Sequence, residues 1–344
     1  MDLVPQGEEQ KMSTKTKTVL VTGAAGFIGS HLAKRLEKEG YNVKLVDDFS
    51  RGCLSYLNYL GVQSQCIKMD LREDTGYNRG YFEDVDEVYH CACRIGNNEY
   101  LHGSVDKKLR ALQANLAIDR NVFKYCNDFG IKKVIYTSSV SVYNAKKQRT
   151  FEDAIFSEGD LARDPIYPEG GYGWAKYMGE KQLEWLSEKG IKTGIVRIFK
   201  SYGPCDDYTD WSGQVVTTLM RKAIKYPEEK FVLWGDGQVT RCLVYIDDLI
   251  DGLMKLSKYC DKESLTVNMG GTQPYYITEL AAKIINLSNK KINIEHDMSK
   301  PVGVKSRIPV ITRAREMLDW RPTTELEEGL KKTYKWMEHE LARN

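Results

Sequence analysis

Tyr172 and Lys176 stand four residues apart in YGWAK, within a helical pattern, so their side chains share one helix face. A phenol ordinarily ionises near pH ~10. A neighbouring ammonium favours the phenolate, and the cationic ring of an oxidised nicotinamide would favour it further, toward neutrality. The pair therefore suits removal of a proton from a hydroxyl whose carbon gives up a hydride. The spacing alone also occurs by chance on surface helices. It gains weight from VIYTSSVSVY upstream, where Ser139 closes an apolar run and its hydroxyl could share one substrate oxygen with Tyr172.

A second group of residues suits a dinucleotide. In VLVTGAAGFIGSHL, Gly23, Gly26 and Gly29 lie between a strand pattern and a helix pattern that takes in Phe27 and Ile28. Glycines there permit a tight turn, close approach to a pyrophosphate and close helix–strand packing, and the helix N-terminus offers free N–H groups. LVDDFS follows at the end of the second strand pattern. Asp47 would accept the adenosine ribose hydroxyls and repel a 2′-phosphate, which favours NAD over NADP. Asp48 is the neighbouring alternative, and Arg51 nearby argues the other way.

These residues need a sheet to position them. Apolar runs at Lys17–Thr22, Val43–Val46, Cys66–Met69, Glu87–Ala92 and Lys133–Tyr136 read as strands. Helical spacing covers Ser30–Glu39 and Leu109–Phe129. The alternation predicts an α/β chain with a Rossmann-type, doubly wound parallel sheet. After about residue 200 it becomes irregular, which suits a smaller, mixed C-terminal substrate lobe. The expected division is a flexible leader at 1–16, a dinucleotide-binding domain at 17–200, and a lobe at 201–344 from which 236–270 could return to the first domain.

Composition narrows the class. Of 344 residues, 42% are apolar and 28% charged, ordinary globular usage. Lys plus Arg is 50 against 48 for Asp plus Glu, which leaves no field to draw nucleic acid or a membrane surface. No apolar run approaches the ~20 residues that span a bilayer. The eight cysteines include no CxxC pair, and a chain this long needs no disulfide scaffold, so a reducing cytoplasm is expected. No metal site is expected, because Cys91 and Cys93 lack a histidine at ligand spacing.

The chain resembles the extended short-chain dehydrogenase/reductase family, and within it the nucleotide-sugar epimerases, dehydratases and decarboxylases. The resemblance runs over roughly residues 17–340 through TGAAGFIGSH, MDLRE, HCAC, ANLAIDRNV, TSSVSVY, YGWAK, RIFKSYGP, GDGQVTRCLVYIDD, VNMGG and LDWRPTTELEEGL. It implies NAD as cofactor, a nucleotide-sugar substrate and catalysis by Tyr172, Lys176 and Ser139. Asp70 and Leu71 would meet the adenine, Ala92 and Arg94 the pyrophosphate and nicotinamide ribose, and Asn115 the active-site backbone. Lys200 stands where the family usually has asparagine, and could contact a substrate phosphate or mark an altered pocket. Arg241 matches the arginine that grips the diphosphate, followed by Cys242 in place of the usual aspartate. Lys305, Ser306 and Arg307 resemble a second phosphate-binding stretch, most like that of 3,5-epimerases of the GDP-mannose type.

The resemblance also bears on the reaction. Dehydratases carry Asp-Glu after the catalytic Ser/Thr, decarboxylases a glutamate two positions on, and the 3,5-epimerases a cysteine there with a lysine after YGP. This chain has Val140, Ser141 and Ser212 at those places. The simplest reaction, inversion at C4 through a transient 4-keto sugar, is therefore expected, with Ser141 in the catalytic group. Net oxidoreduction or decarboxylation on the same scaffold is the alternative; a non-catalytic NAD-binding protein would be expected to lack Tyr172 or Lys176. Asn97, Asn98 and Glu99 could face the sugar, and Glu169–Gly171 lie close enough to Tyr172 to shape the pocket. Trp174, Met178 and Trp185 form a helical stripe, and the family's habit of pairing this helix with that near Leu109–Phe129 implies a homodimer.

Overall fold

In the computed structural model, residues 16–209 and 212–343 are described. The expected leader at 1–16 lies, but for Thr16, outside them. Seven parallel strands form the central sheet: β1 (Thr18–Thr22), β2 (Asn42–Asp47), β3 (Cys66–Lys68), β4 (Glu87–His90), β5 (Lys133–Ser139), β6 (Lys192–Ile198) and β7 (Leu265–Met269). Their order is β7-β6-β5-β4-β1-β2-β3. All five residues of β1 are buried, as befits a strand covered on both faces. Strand order reverses direction between β1 and β4, and the crevice beyond their carboxyl ends is where such sheets bind ligands.

Four long helices cover the sheet: α1 (Phe27–Lys38), α2 (Val105–Asp128), α3 (Gly170–Glu188) and α4 (Ile246–Tyr259). The helix expected from Ser30 begins at Phe27, directly after Gly26. That expected from Leu109 begins at Val105, because the Ser104 hydroxyl accepts the Lys107 N–H at 3.2 Å and caps it. The fourth strand ends at His90, two residues before the expected limit, and the following loop borders the crevice. β6 and β7 were not among the expected strands.

α2 and α3 pack together on one face. Gly179 permits the close approach, since a Cβ there would lie 2.7 Å from Asp119 Oδ2. A buried ion pair pins α3 to the sheet. Arg197 of β6 donates to Glu180 of α3 through Nη2 at 2.7 Å and Nε at 3.0 Å. Ser138 of β5 donates to the same carboxylate at 2.5 Å. The Tyr143 hydroxyl accepts from Arg197 at 3.1 Å and donates to Asn268 of β7 at 2.6 Å.

Beyond residue 200, short strand pairs and three helices, Val215–Lys225, Ile277–Ser288 and Leu326–Arg343, build a lobe over the carboxyl edge of the sheet. One apolar core runs through both parts, from Val21 and Val196 to Leu219, Trp320 and Trp336.

Removing one partner of the buried pair leaves the other charge stranded. Arg197→Ala is expected to lower stability by about 3–5 kcal/mol in chemical denaturation. The double variant Arg197→Met/Glu180→Leu should recover much of that loss. An Arg197→Ala protein as stable as the parent would show that the pair does not anchor α3.

Candidate active site

One cavity of about 650 Å3 runs from the glycine-rich turn, across the carboxyl ends of β1, β4, β5 and β6, into the second lobe. At its first end Gly23 takes φ +68°, and a Cβ there would lie 2.7 Å from Ala92 N. Only glycine allows the turn to pass so close beneath the β4 loop. Gly26, Phe27, Ile28 and Gly29 line the wall above it. Asp47 is buried, and its carboxylate accepts the Ala25 and Phe49 N–H groups at 3.0 and 2.8 Å. Burial pushes this carboxyl up, while those amides act to hold it ionised. Arg51 turns away from Asp47 and pairs with Asp207 of the second lobe at 2.8 Å. Its charge is thereby engaged, which favours a free ribose over a phosphorylated one. Asp48, Asp70, Leu71, Ala92 and Arg94 line the same stretch.

Tyr172, Ser139 and Ser141 form the middle of the wall. The Tyr172 phenol is buried close to the Ser139 hydroxyl. Burial, then the Cys93 thiol, push it well above its ordinary value, against the Ser139 hydroxyl. The expected drop toward neutrality is therefore absent from the protein without its cofactor. Lys176 is buried and its Nζ has no hydrogen-bond partner; it rests 4.3 Å above the Tyr136 ring. A buried ammonium without acceptors is costly. The ribose hydroxyls of a dinucleotide laid along the glycine turn would satisfy it, so the residues present fit NAD.

A polar chain backs this wall. Tyr136 donates to Asp119 at 2.7 Å, and the other Asp119 oxygen meets His90 Nε2 at 3.0 Å. His90 Nδ1 lies 2.7 Å from the Thr22 hydroxyl, which accepts the Ala92 N–H at 3.2 Å. Burial, outweighing Asp119, lowers the His90 pKa and keeps the ring neutral. The ring then donates from Nε2 and accepts at Nδ1. The glycine turn and the support of Lys176 thus belong to one hydrogen-bonded chain.

The far end is rich in cations. Arg241 is half-buried and donates to the Thr240 and Val304 carbonyls, at 2.7 and 3.1 Å. Burial, aided by Arg307, lowers its pKa to about 10. Arg307 donates to Gln148 at 2.7 Å and is ion-paired with Glu169. Burial opposes ionisation of Glu169, but Arg307, His102 and a 3.1 Å hydrogen bond from Ser141 together hold its carboxyl below the ordinary value. Lys200 donates to Gln214; burial, with Arg241, Arg307 and Arg51, lowers its pKa to about 8, against Asp206. Asp206 is buried with Oδ2 unpartnered, and burial raises it to about 7 despite Lys200 and Arg51.

Asn97, Asn98, Lys200, Arg241 and Arg307 also line the cavity. Four expected residues do not: Lys176 lies buried behind the wall, and Asn115, Glu99 and Lys305 are each turned elsewhere. Asn115 spends its amide on Arg94 and Ala111, accepting the Arg94 N–H at 2.7 Å and donating to both carbonyls. It positions the β4 loop and does not line the cofactor cavity. Glu99 turns outward to Lys107 at 2.6 Å. Lys305 is exposed, with Nζ 4.8 Å from the Phe151 ring, because its neighbour Ser306 takes the buried position against Thr240. His102 and Asp206 face the cavity without having been expected there. No local pattern marks them, since each is placed by distant partners. Among the described residues, no group of side chains could hold a metal ion.

Residues 19–270 match the NAD dependent epimerase/dehydratase family. Over 94% of its length the chain is 30% identical to dTDP-4-dehydro-6-deoxy-D-allose reductase of Streptomyces bikiniensis, covering 97% of that protein. It is 28% identical to GDP-mannose 3,5-epimerase of Arabidopsis thaliana, over 97% of this chain and 86% of that one. It superposes, with a TM-score of 0.79 and 26% identity, on UDP-glucuronic acid 4-epimerase of Bacillus cereus in complex with UDP-glucuronic acid and NAD, covering 94% of this chain and 99% of the other. The glycine turn, the unsatisfied Lys176 and these likenesses agree: the chain uses NAD and belongs to the NAD-dependent epimerase/dehydratase family, within the extended short-chain dehydrogenases/reductases.

Proposed function

We propose that the protein inverts C4 of a nucleotide sugar through a transient 4-keto sugar. The reading is carried by one arrangement: Tyr172 and Ser139, side by side, stand between a dinucleotide cradle and Arg241, a half-buried cation hydrogen-bonded only to backbone carbonyls. NAD, when bound, supplies the oxidation of C4 and its reversal. Tyr172 takes the C4 hydroxyl proton and later returns it, and Ser139 holds the same oxygen. Lys176 holds the nicotinamide ribose and favours the phenolate. Arg241, helped by Arg307 and Lys200, binds the diphosphate with charge-assisted hydrogen bonds and leaves the sugar beyond it free to turn. Asn97 and Asn98 supply partners for sugar hydroxyls.

Two further points support an account of the protein at work. α2 and α3 leave Leu109, Trp174, Met178 and Trp185 exposed, with Trp185 at 57%. On packed helices such a stripe suits docking of a second copy, and we take the protein to be a homodimer. All eight cysteines are free and, among the described residues, no helix is long and apolar enough to cross a membrane. The free thiols suit the cytoplasm.

Denaturing the purified protein should release NAD, and incubation with UDP- and GDP-linked hexoses or hexuronic acids should yield a C4-inverted product by NMR without accumulation of NADH. A released keto or decarboxylated sugar would replace this reading with the oxidoreductase or decarboxylase one. Tyr172→Phe should lower turnover at least ~100-fold while still carrying NAD. Trp185→Glu should halve the mass measured by light scattering, and an unchanged mass would remove this helix face from the interface.

Lys200 gives a test by pH. Its pKa falls from an ordinary 10.5 to about 8, so between these values the unfolded chain binds more protons and stability rises with pH. In an Asp206→Asn background, where the facing carboxyl no longer titrates, Lys200→Asn should raise the melting temperature most at pH 8 and below. The gain should shrink toward pH 10.5; a gain independent of pH would show that Lys200 is not a buried charge.

A further inference from the structure

Val140 and Ser141 bear no carboxylate, yet the cavity wall has one at that place. Glu169 precedes Tyr172 by three residues, and its N–H donates to the Ser141 carbonyl at 2.8 Å. Its own carbonyl accepts the Gly173 N–H at 2.9 Å, so the backbone is held at both ends of the peptide unit. The side chain turns into the cavity and accepts from the Ser141 hydroxyl at 3.1 Å. Arg307 contacts one carboxylate oxygen, and His102 Nε2 lies 3.9 Å from the other. Only 14% of the side chain is exposed. Burial of this kind disfavours an ionised carboxyl, but here the Arg307 guanidinium and the Ser141 hydroxyl act to keep it charged. An ionised carboxylate therefore stands beside the Tyr172–Ser139 pair, within the chamber that opens toward Arg241.

We propose that Glu169 is a catalytic acid/base residue that exchanges the proton on a ring carbon next to the C4 ketone. The inference rests on the reading that the chamber holds a 4-keto nucleotide sugar. A ketone acidifies the C–H bonds on either side of it. A Glu169 oxygen takes the proton as that C–H bond breaks, and the electron pair moves into a new C–C double bond while the C4 oxygen becomes an enolate. Ser139 and Tyr172 hydrogen-bond that oxygen. Return of the proton from Glu169 restores the ketone, with no net change in oxidation state and no further reactant. The chain thereby has the means to act beyond C4, although residues 140 and 141 are both neutral.

The alternative is a carboxylate that only orients Arg307 for the diphosphate, and the experiment separates the two. The holoenzyme is incubated in D2O with UDP-, dTDP- and GDP-linked 4-keto-6-deoxyhexoses, which need no prior oxidation. Mass spectrometry and NMR then follow deuterium at C3 and C5 against an enzyme-free control. Enzyme-dependent deuterium is expected with at least one of the three. Glu169→Gln should slow that exchange at least ~100-fold at saturating sugar nucleotide, and Glu169→Asp should restore part of it. Exchange that proceeds in Glu169→Gln, or a variant that loses only affinity for the nucleotide, would overturn the assignment. Absence of exchange in the wild type while hexoses are still oxidised at C4 would overturn it and leave the C4 reading standing. Exchange without oxidation of any hexose would support Glu169 and remove the C4 reading instead.

Discussion

The buried ion pair between Glu180 and Arg197 fixes where the chemistry can occur. Tyr172, Lys176 and Glu180 follow one another at intervals of four along α3, so they share the face that the helix lays on the sheet. Glu180 is gripped by Arg197 of β6 and Ser138 of β5, which sets the rotation and depth of the helix. Two turns earlier, the same rotation delivers the phenol to Ser139, and one turn earlier it brings Lys176 above Tyr136. A charged anchor suits this task, because an ion pair has a fixed geometry where apolar packing tolerates sliding. Its isolation from water also makes the loss of either partner severe.

The cavity shows a comparable use of charge. Arg51 is matched by Asp207 and Arg307 by Glu169, and Lys200 faces Asp206. Arg241 alone among these is hydrogen-bonded to backbone carbonyl oxygens and to no carboxylate. In a low-dielectric chamber such a group attracts an anion more strongly than a surface arginine could. The near balance of 50 basic and 48 acidic residues thus conceals a local arrangement. Positive potential remains at Arg241, where the proposed reading puts the diphosphate, while neighbouring charges are largely compensated within the protein.

Much of this is legible in the sequence. The glycine turn, the acid at the end of the second strand and the Tyr-Lys spacing are local patterns, and local patterns survive translation into structure. β6 and β7 were harder to read, because their partners lie far along the chain and their limits depend on the ladder they join. Asn115, Glu99 and Lys305 carry suitable groups in suitable motifs, but each side chain is turned by contacts that spacing does not record. Lys305 and Arg307 illustrate the point, as the alternation about buried Ser306 leaves one outside and one bordering the cavity. Glu169 was placed near the pocket by its proximity to Tyr172. Its charge state depends on Arg307, a residue 138 positions away in sequence.

The return of β7 to the edge of the sheet has a consequence for how the molecule can be divided. A fragment ending near residue 200 would keep the glycine turn, Tyr172 and Lys176, yet it would expose β6 along its full seven residues. That strand is apolar at its centre and would offer unpaired N–H and C=O groups to any passing chain. The fragment would also lose Asn268, the partner of Tyr143, and α4 from the sheet face. The second part of the chain thus supplies the edge strand that closes the sheet begun by the first.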